Sequence, residues 1–533
     1  MYFTPRIIFF LCLLSISCCT LCPEFLSACF DAGMKHVIGT ETNLEDVQSR
    51  ISGLERRLRA IEQPVWQIRG RLGDWEICAE GPCRCIPETK SLSCWRFGLM
   101  DIPPTQLVPE DVLKLDLGSN QMTAIHRDTF LDLIHLTYLD LSNNFIEHLP
   151  LSLFFSLHSL THLKLSKNLL RELHQNQFLR MRHLHIVDIS FNKLRTLPEG
   201  LFLTNGALVV LDLTSNRIST LTSGIFLGLR NLEELLLGKN HLTSLPLKIF
   251  DELYNLRSLR LDENHLQALP SSLFQDQINL QDLNLRDNRL TVIESGLMMS
   301  LSKLEILELS TNRIARIDPA ALQGLTSLKE LQLGQNHIKK IPQGLFQSVP
   351  SLERLILYAN GIETLSNNDF QGLSNLTTLF LHANHLRVLH PDVFMDTPNL
   401  KKLHLESNYL SYLPARILDA MIDIQQLRLA RNPWHCDCGA AYLAMWLRKR
   451  YLAHLKNLHV AIEDATTSLE GDSNFWEFGG GAVCRGPGTL GGKLLIQLSF
   501  HELCEGQWAS MQGLVPRLPL DTITTIASYS VRR

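Results

Sequence analysis

An asparagine returns every 24 residues across more than half of this 533-residue chain, and no ordinary globular fold accommodates that regularity. The series is Asn120, Asn144, Asn168, Asn192, Asn216, Asn240, Asn264, Asn288, Asn312, Asn336, Asn360, Asn384, Asn408 and Asn432, without a slip. Aliphatic residues precede the asparagines by eight, five and three positions, as Leu136, Leu139 and Leu141 precede Asn144. Others follow two and five positions later, as Ile146 and Leu149 do. Ten positions after most asparagines stands a Phe: Phe130, Phe154, Phe178, Phe202, Phe226, Phe250, Phe274, Phe346, Phe370 and Phe394, with Met298, Leu322 and Leu418 in three further places.

A coil of 24 residues is too small to bury its own apolar side, so the coils must stack. Each supplies one short strand whose alternate Leu side chains point inward. Stacking joins them into one parallel sheet over one continuous core, with each buried Leu contributing about 1.5–3 kcal/mol. The Asn occupies an inward position and must be hydrogen-bonded there. Its amide both donates and accepts, so it can satisfy backbone groups where the strand turns the corner. The Phe column is expected to fill the convex side.

The pattern L-x-x-L-x-L-x-x-N-x-L resembles the leucine-rich repeat, whose period range includes 24. The expected architecture is an α/β-type repeat solenoid, a horseshoe with a parallel concave sheet over residues 111–432.

The start of the chain reads as a secretory signal peptide over residues 1–22, with Arg6 ahead of the apolar run Ile7 to Ile16. That run is shorter than the roughly 20 residues a spanning helix needs, and no second apolar stretch reaches that length. The reading is secretion, with no membrane span. A net charge of -4 with both signs interspersed gives no reason to expect nucleic acid.

Residues 23–40 carry Cys29, and residues 41–72 change register. Leu44, Val47, Ile51, Leu54, Leu58, Ile61, Val65, Ile68 and Leu72 alternate spacings of three and four, a heptad series with Arg50, Arg57, Glu55 and Glu62 beside the seam. Pro64 should end or kink the helix, and Gly53 weakens it. The leading expectation is a homodimer through Leu44 to Ile61; the alternatives are a helix packed on the solenoid's first coil and a flexible stalk. Cleavage after Cys22 leaves Cys29 for an intermolecular disulfide, whereas earlier cleavage lets it pair with Cys22.

Of thirteen cysteines, eight form two clusters: Cys78, Cys83, Cys85 and Cys94 within residues 73–110, and Cys436, Cys438, Cys484 and Cys504 within residues 433–504. Solenoid ends expose an apolar face and a strand edge, and disulfide knots cover both in an oxidising compartment. Zinc is the competing reading, disfavoured by C-x-C spacing in a secreted chain. A helix is predicted from Ala440 to Arg450, and residues 505–533 form a tail.

The repeats together with the closure Asn432-Pro433-Trp434-x-Cys436-x-Cys438…Cys484…Cys504 resemble extracellular leucine-rich repeat proteins with cysteine caps at both ends. Slit, the acid-labile subunit, the non-catalytic subunit of carboxypeptidase N, chondroadherin and Toll-type ectodomains share this layout. The resemblance implies the pairs Cys78–Cys85, Cys83–Cys94, Cys436–Cys484 and Cys438–Cys504. The heptad segment and the long stretch between Cys438 and Cys484 depart from the common pattern.

Motifs of catalysis fall away. His501-Glu502-Leu503-Cys504-Glu505 lacks the second His of a zinc protease, and Gly486 to Lys493 has Pro487 where a phosphate loop needs Gly. His241, His265, His337 and His385 are expected to line an exposed edge rather than hold a metal. The chain is read as no enzyme, with no cofactor and no metal.

Function then rests on the strand positions that face outward, two, four and six residues before each Asn. Most are polar, such as Asp116, Asp140, Asp188 and Asp212. Ile356, Tyr358, Phe380, His382 and His404 break that pattern on adjacent strands and are predicted to form an exposed ligand-binding patch. Ile186, Val210 and Leu236 form a weaker candidate. The sequon Asn375-Leu376-Thr377 places a candidate glycan beside the first patch. The expected function is capture of an extracellular protein ligand; the alternatives are matrix or cell-surface adhesion and a non-catalytic stabilising subunit of a secreted enzyme.

Overall fold

The structure, a computed structural model, describes residues 74–457 and 481–504, together with 51, 54, 55, 58, 62 and 65–68. Cys29, the signal region and the tail 505–533 lie outside the described residues, as does most of the heptad segment.

Among the described residues, sixteen strands form one sheet in the order in which they occur in the chain. The Arg84–Ile86 strand pairs antiparallel with Ser91–Ser93, which pairs parallel with Lys114–Asp116. From there every pairing is parallel and advances by 24 residues, as Tyr138↔His162 and Lys402↔Gln426 do. The central residue of each three-residue repeat strand is buried, as are Leu115, Leu139, Leu163, Val187 and Leu211. The ten Phe side chains are at most 1% exposed. Many neighbouring rings stack at centroid distances of 5.6–6.5 Å. The convex returns are hydrogen-bonded turns, so among the described residues α-helix occurs only towards the ends of the chain.

The asparagine ladder is the polar spine of this core. Asn240 Nδ2 donates to the Leu213 and Leu237 carbonyls at 3.0 and 3.1 Å, and its Oδ1 accepts the Ile218 N–H at 3.0 Å. One amide therefore ties two successive turns, and the same set recurs at the other ladder positions, for example Asn384. The residue before each ladder Asn adopts left-handed backbone, with φ between 51° and 58° from Ser119 to Arg431. That conformation aims its N–H at the next turn, as in Lys239 N–H to Asp262 O and Ala359 N–H to His382 O. None of these fourteen residues is glycine.

Among the described residues four disulfides close the ends: Cys78–Cys85, Cys83–Cys94, Cys436–Cys484 and Cys438–Cys504. In the first cap the buried Gln106 accepts the Cys83 N–H and donates to the Cys78 and Leu107 carbonyls. In the second, the buried Trp434 donates its indole N–H to Leu429 O at 2.9 Å. The helix there spans Ala441–Asn457, starting one residue later and ending seven residues later than predicted. Leu443 and Leu447 are its buried face, and Arg448 fastens it to the Ile496, Gln497 and Leu498 carbonyls.

The heptad reading needs one correction. Val65 and Ile68 continue the series in sequence, but Gln67–Ile68 is a strand paired parallel with Leu107–Val108, and Trp66 beside it is buried. A coil cannot run through Pro64 into that strand. Upstream, Ile51, Leu54, Glu55, Leu58 and Glu62 are helical and exposed.

Candidate functional site

The strand face facing solvent has a recurrent feature over the first two thirds of the solenoid, interrupted at Lys164, Leu236 and Arg260. Four residues before the ladder Asn, an acidic side chain accepts the N–H of the residue two further on: Asp116 from Gly118, Asp140 from Ser142, Asp188 from Ser190 and Asp212 from Thr214, at 2.8–3.0 Å. Asn284 and Glu308 do the same for Arg286 and Ser310. These side chains finish strands too short to finish themselves. Burial raises the carboxyls of Asp116, Asp212 and Glu308 above their ordinary values.

At the same position on three later strands stand Ile356, Phe380 and His404, aligned in register. Neither Ile356 nor Phe380 can accept an N–H. Two residues on, Tyr358, His382 and Glu406 form the next row. The rings are stacked in two pairs, Tyr358 on His382 at 4.8 Å and Phe380 on His404 at 4.1 Å. His382 and His404 lie 5.9 Å apart, and Arg354 covers the Phe380 ring at 5.8 Å.

The structure thus brings all five predicted residues together but corrects their depth. Ile356 is 3% exposed and His404 6%, so these two form the floor rather than the surface. Tyr358, Phe380 and His382 are half-buried. Stacking explains the difference, because rings lying on their strand neighbours shield one another. Burial lowers the proton affinity of both imidazoles, that of His404 to about 4, so both are neutral near pH 7. Sequence reasoning missed Glu406, which lies two residues beyond the strand that ends at His404 and close to His382; its position two before Asn408 was the available signal.

The other expected features are more dispersed. Ile186 and Val210 are register partners, Leu236 lies on the next strand, and all three are half-buried. His241, His337 and His385 are exposed and His265 half-buried; His241 stacks on His265, and His385 on Tyr409. Asn375 is exposed, its amide donating to Pro350 O at 3.0 Å as the chain enters the Thr378–Phe380 strand.

Comparison with known proteins settles the family. The Leucine rich repeat family matches residues 111–170 and, in overlapping segments, residues 182–433. The chain belongs to the leucine-rich repeat family. Within it, carboxypeptidase N subunit 2 of Mus musculus is 31% identical over 90 residues, covering 17% of this chain and 12% of that protein. Platelet glycoprotein IX of Homo sapiens is 42% identical over 38 residues, 7% of this chain and 22% of that protein. The chain thus spans under a quarter of the length of either relative. Among solved structures, a chain of the Drosophila Toll–Spatzle complex superposes with a TM-score of 0.57 at 23% identity, covering 73% of this chain and 54% of that one. A leucine-rich repeat protein of Leptospira interrogans gives 0.54 at 28% identity, covering 69% and 95%. Leucine-rich repeat solenoids are typically binding scaffolds, and the four disulfides fit an extracellular or cell-surface setting. Among the described residues no helix is long and apolar enough to cross a membrane.

Proposed function

We propose that this protein is secreted, has no catalytic activity, and captures an extracellular protein on the face of its sheet, centred on Tyr358, Phe380 and His382. The observation that carries this is the break in the strand rule. Where most earlier strands place an acceptor for their own N–H, this region places stacked rings, with Ile356 and His404 buried among them. Half-buried aromatics in a shallow concavity are the usual anchors of interfaces, and losing one costs about 2 kcal/mol or more. Exposed Asn375 with the Thr377 sequon stands beside the patch, and a glycan there would limit approach from that edge.

The test is capture from native extracellular fluid with a tagged, secreted chain. The Tyr358→Ala/Phe380→Ala variant, secreted at equal yield, should lose a partner that the wild type holds. Identical partners with both proteins would exclude the patch. A second reading is a stabilising subunit of a secreted enzyme, favoured by the likeness to a protein named as a carboxypeptidase subunit. Hydrolase activity co-purifying with the wild type would select it. Self-association through Leu44 to Ile61 is also proposed, supported by the exposed apolar side chains of Ile51, Leu54 and Leu58.

A further inference from the structure

His382, His404 and Glu406 each offer one ligand atom, and the three atoms lie within 4.8 Å of one another. Two come from one strand and its extension, and the third from the neighbouring turn, so the sheet register itself holds them together. All three side chains carry a buried atom without a hydrogen bond: His382 Nδ1, His404 Nε2 and Glu406 Oε2. Gln426 also interacts with the His404 ring, and His404 Nδ1 lies 3.9 Å from Glu406 Oε1, which leaves His382 Nδ1 and Glu406 Oε2 as the atoms without a hydrogen-bond partner. Buried acceptors converging on one point without donors are costly unless something is bound there.

We infer that His382, His404 and Glu406 form a site for a divalent transition-metal cation, zinc above all, on the face of the sheet. Two imidazoles and one carboxylate are borderline donors that suit zinc and not calcium or magnesium, which take oxygen. Three protein ligands leave a fourth tetrahedral position for water or for a donor atom of a partner. Zinc bonds of about 2.1 Å set tetrahedral ligands about 3.4 Å apart, so side-chain rotation of about 1 Å closes the site. The stacks of His382 on Tyr358 and His404 on Phe380 hold both imidazole planes.

Charge sets the terms of binding. Glu406 supplies one negative charge. Arg428, the register partner of His404, and Lys402 on the same strand oppose a cation. Both basic side chains are exposed, so solvent screens them and they can turn away. The site therefore fits a metal that gains its affinity from directed bonds to nitrogen and not from net charge.

The experiment is calorimetric titration of Zn²⁺ into the full secreted chain, metal-stripped and without a polyhistidine tag, with no partner present. One equivalent should bind saturably and raise the thermal midpoint. His382→Gln and Glu406→Gln should each weaken binding at least about tenfold while keeping the metal-free midpoint. Co²⁺ in place of Zn²⁺ should give the intense visible absorption of a four-coordinate site, a readout that does not depend on the variants folding. No saturable Zn²⁺ binding, equal binding by wild type and both folded variants, or a weak six-coordinate Co²⁺ spectrum would each overturn the assignment. The partner-capture test can fail without touching this one, because metal is titrated alone.

Discussion

At the scale of single residues, the ladder asparagines carry the fold's polar burden and the prediction about them is direct. Asn240→Ala deprives the buried Ile218 N–H of its acceptor and removes one of the two ladder donors to each of the Leu213 and Leu237 carbonyls, which keep Asn216 and Asn264. The expected cost is about 1–3 kcal/mol, read as an earlier midpoint in chemical denaturation with the repeat sheet as the reporter. An unchanged midpoint would mean that water reaches those groups and that the ladder is decorative. The asparagines were legible in the sequence because a polar residue at a fixed inward position admits few explanations. The depth of Ile356 and His404 was not, because alternation assigns a side chain to a face and says nothing about which ring lies over it.

At the scale of elements, the short strands need their outward carboxylates, and this gives them a distinctive response to pH. Burial raises Asp116, Asp212, Asp262, Asp282 and Glu308 in the folded chain. A carboxyl whose folded value exceeds its unfolded one binds more protons when folded, so its contribution to stability rises as pH falls through the folded value towards the ordinary one. Asp212→Asn keeps an acceptor for the Thr214 N–H and removes the titration. Compared by thermal midpoint between pH 7 and 5, the wild type should gain on this variant as the solution becomes more acidic. A difference that stays flat or runs the other way would contradict the burial of Asp212. The caps were legible as cysteine spacing. The extension of the C-terminal helix to Asn457 was not, because the bonds from Arg448 to a chain segment nearly 50 residues away have no local signature.

At the scale of the whole molecule, sixteen strands at about 4.8 Å give a sheet about 70 Å along its axis, with the aromatic patch in its C-terminal third. The helical residues Ile51, Leu54 and Leu58 stand 52–65% exposed ahead of the first cap. Apolar side chains at heptad spacing stay in water only at a cost, so the secreted chain should show twice its monomer protein mass by light scattering. Leu54→Lys/Leu58→Lys should bring it to the monomer mass, and a non-reducing gel reports whether Cys29 locks the pair. A wild type already at monomer mass would end the dimer proposal. The left-handed residue before each ladder Asn has a different consequence. A non-glycine residue there costs on the order of 1–2 kcal/mol, so every turn is held slightly above its own optimum. At Lys239 and Thr311 the side chain repays part of that through a bond to the next turn, Glu263 in one case and Gln335 in the other. Ala359 and Ala383 have no side chain able to do so, and they flank Tyr358 and His382. Glycine at either position would relieve the left-handed backbone while freeing the unfolded chain, two opposing terms of similar size, so the binding face sits on turns whose strain is balanced rather than idle.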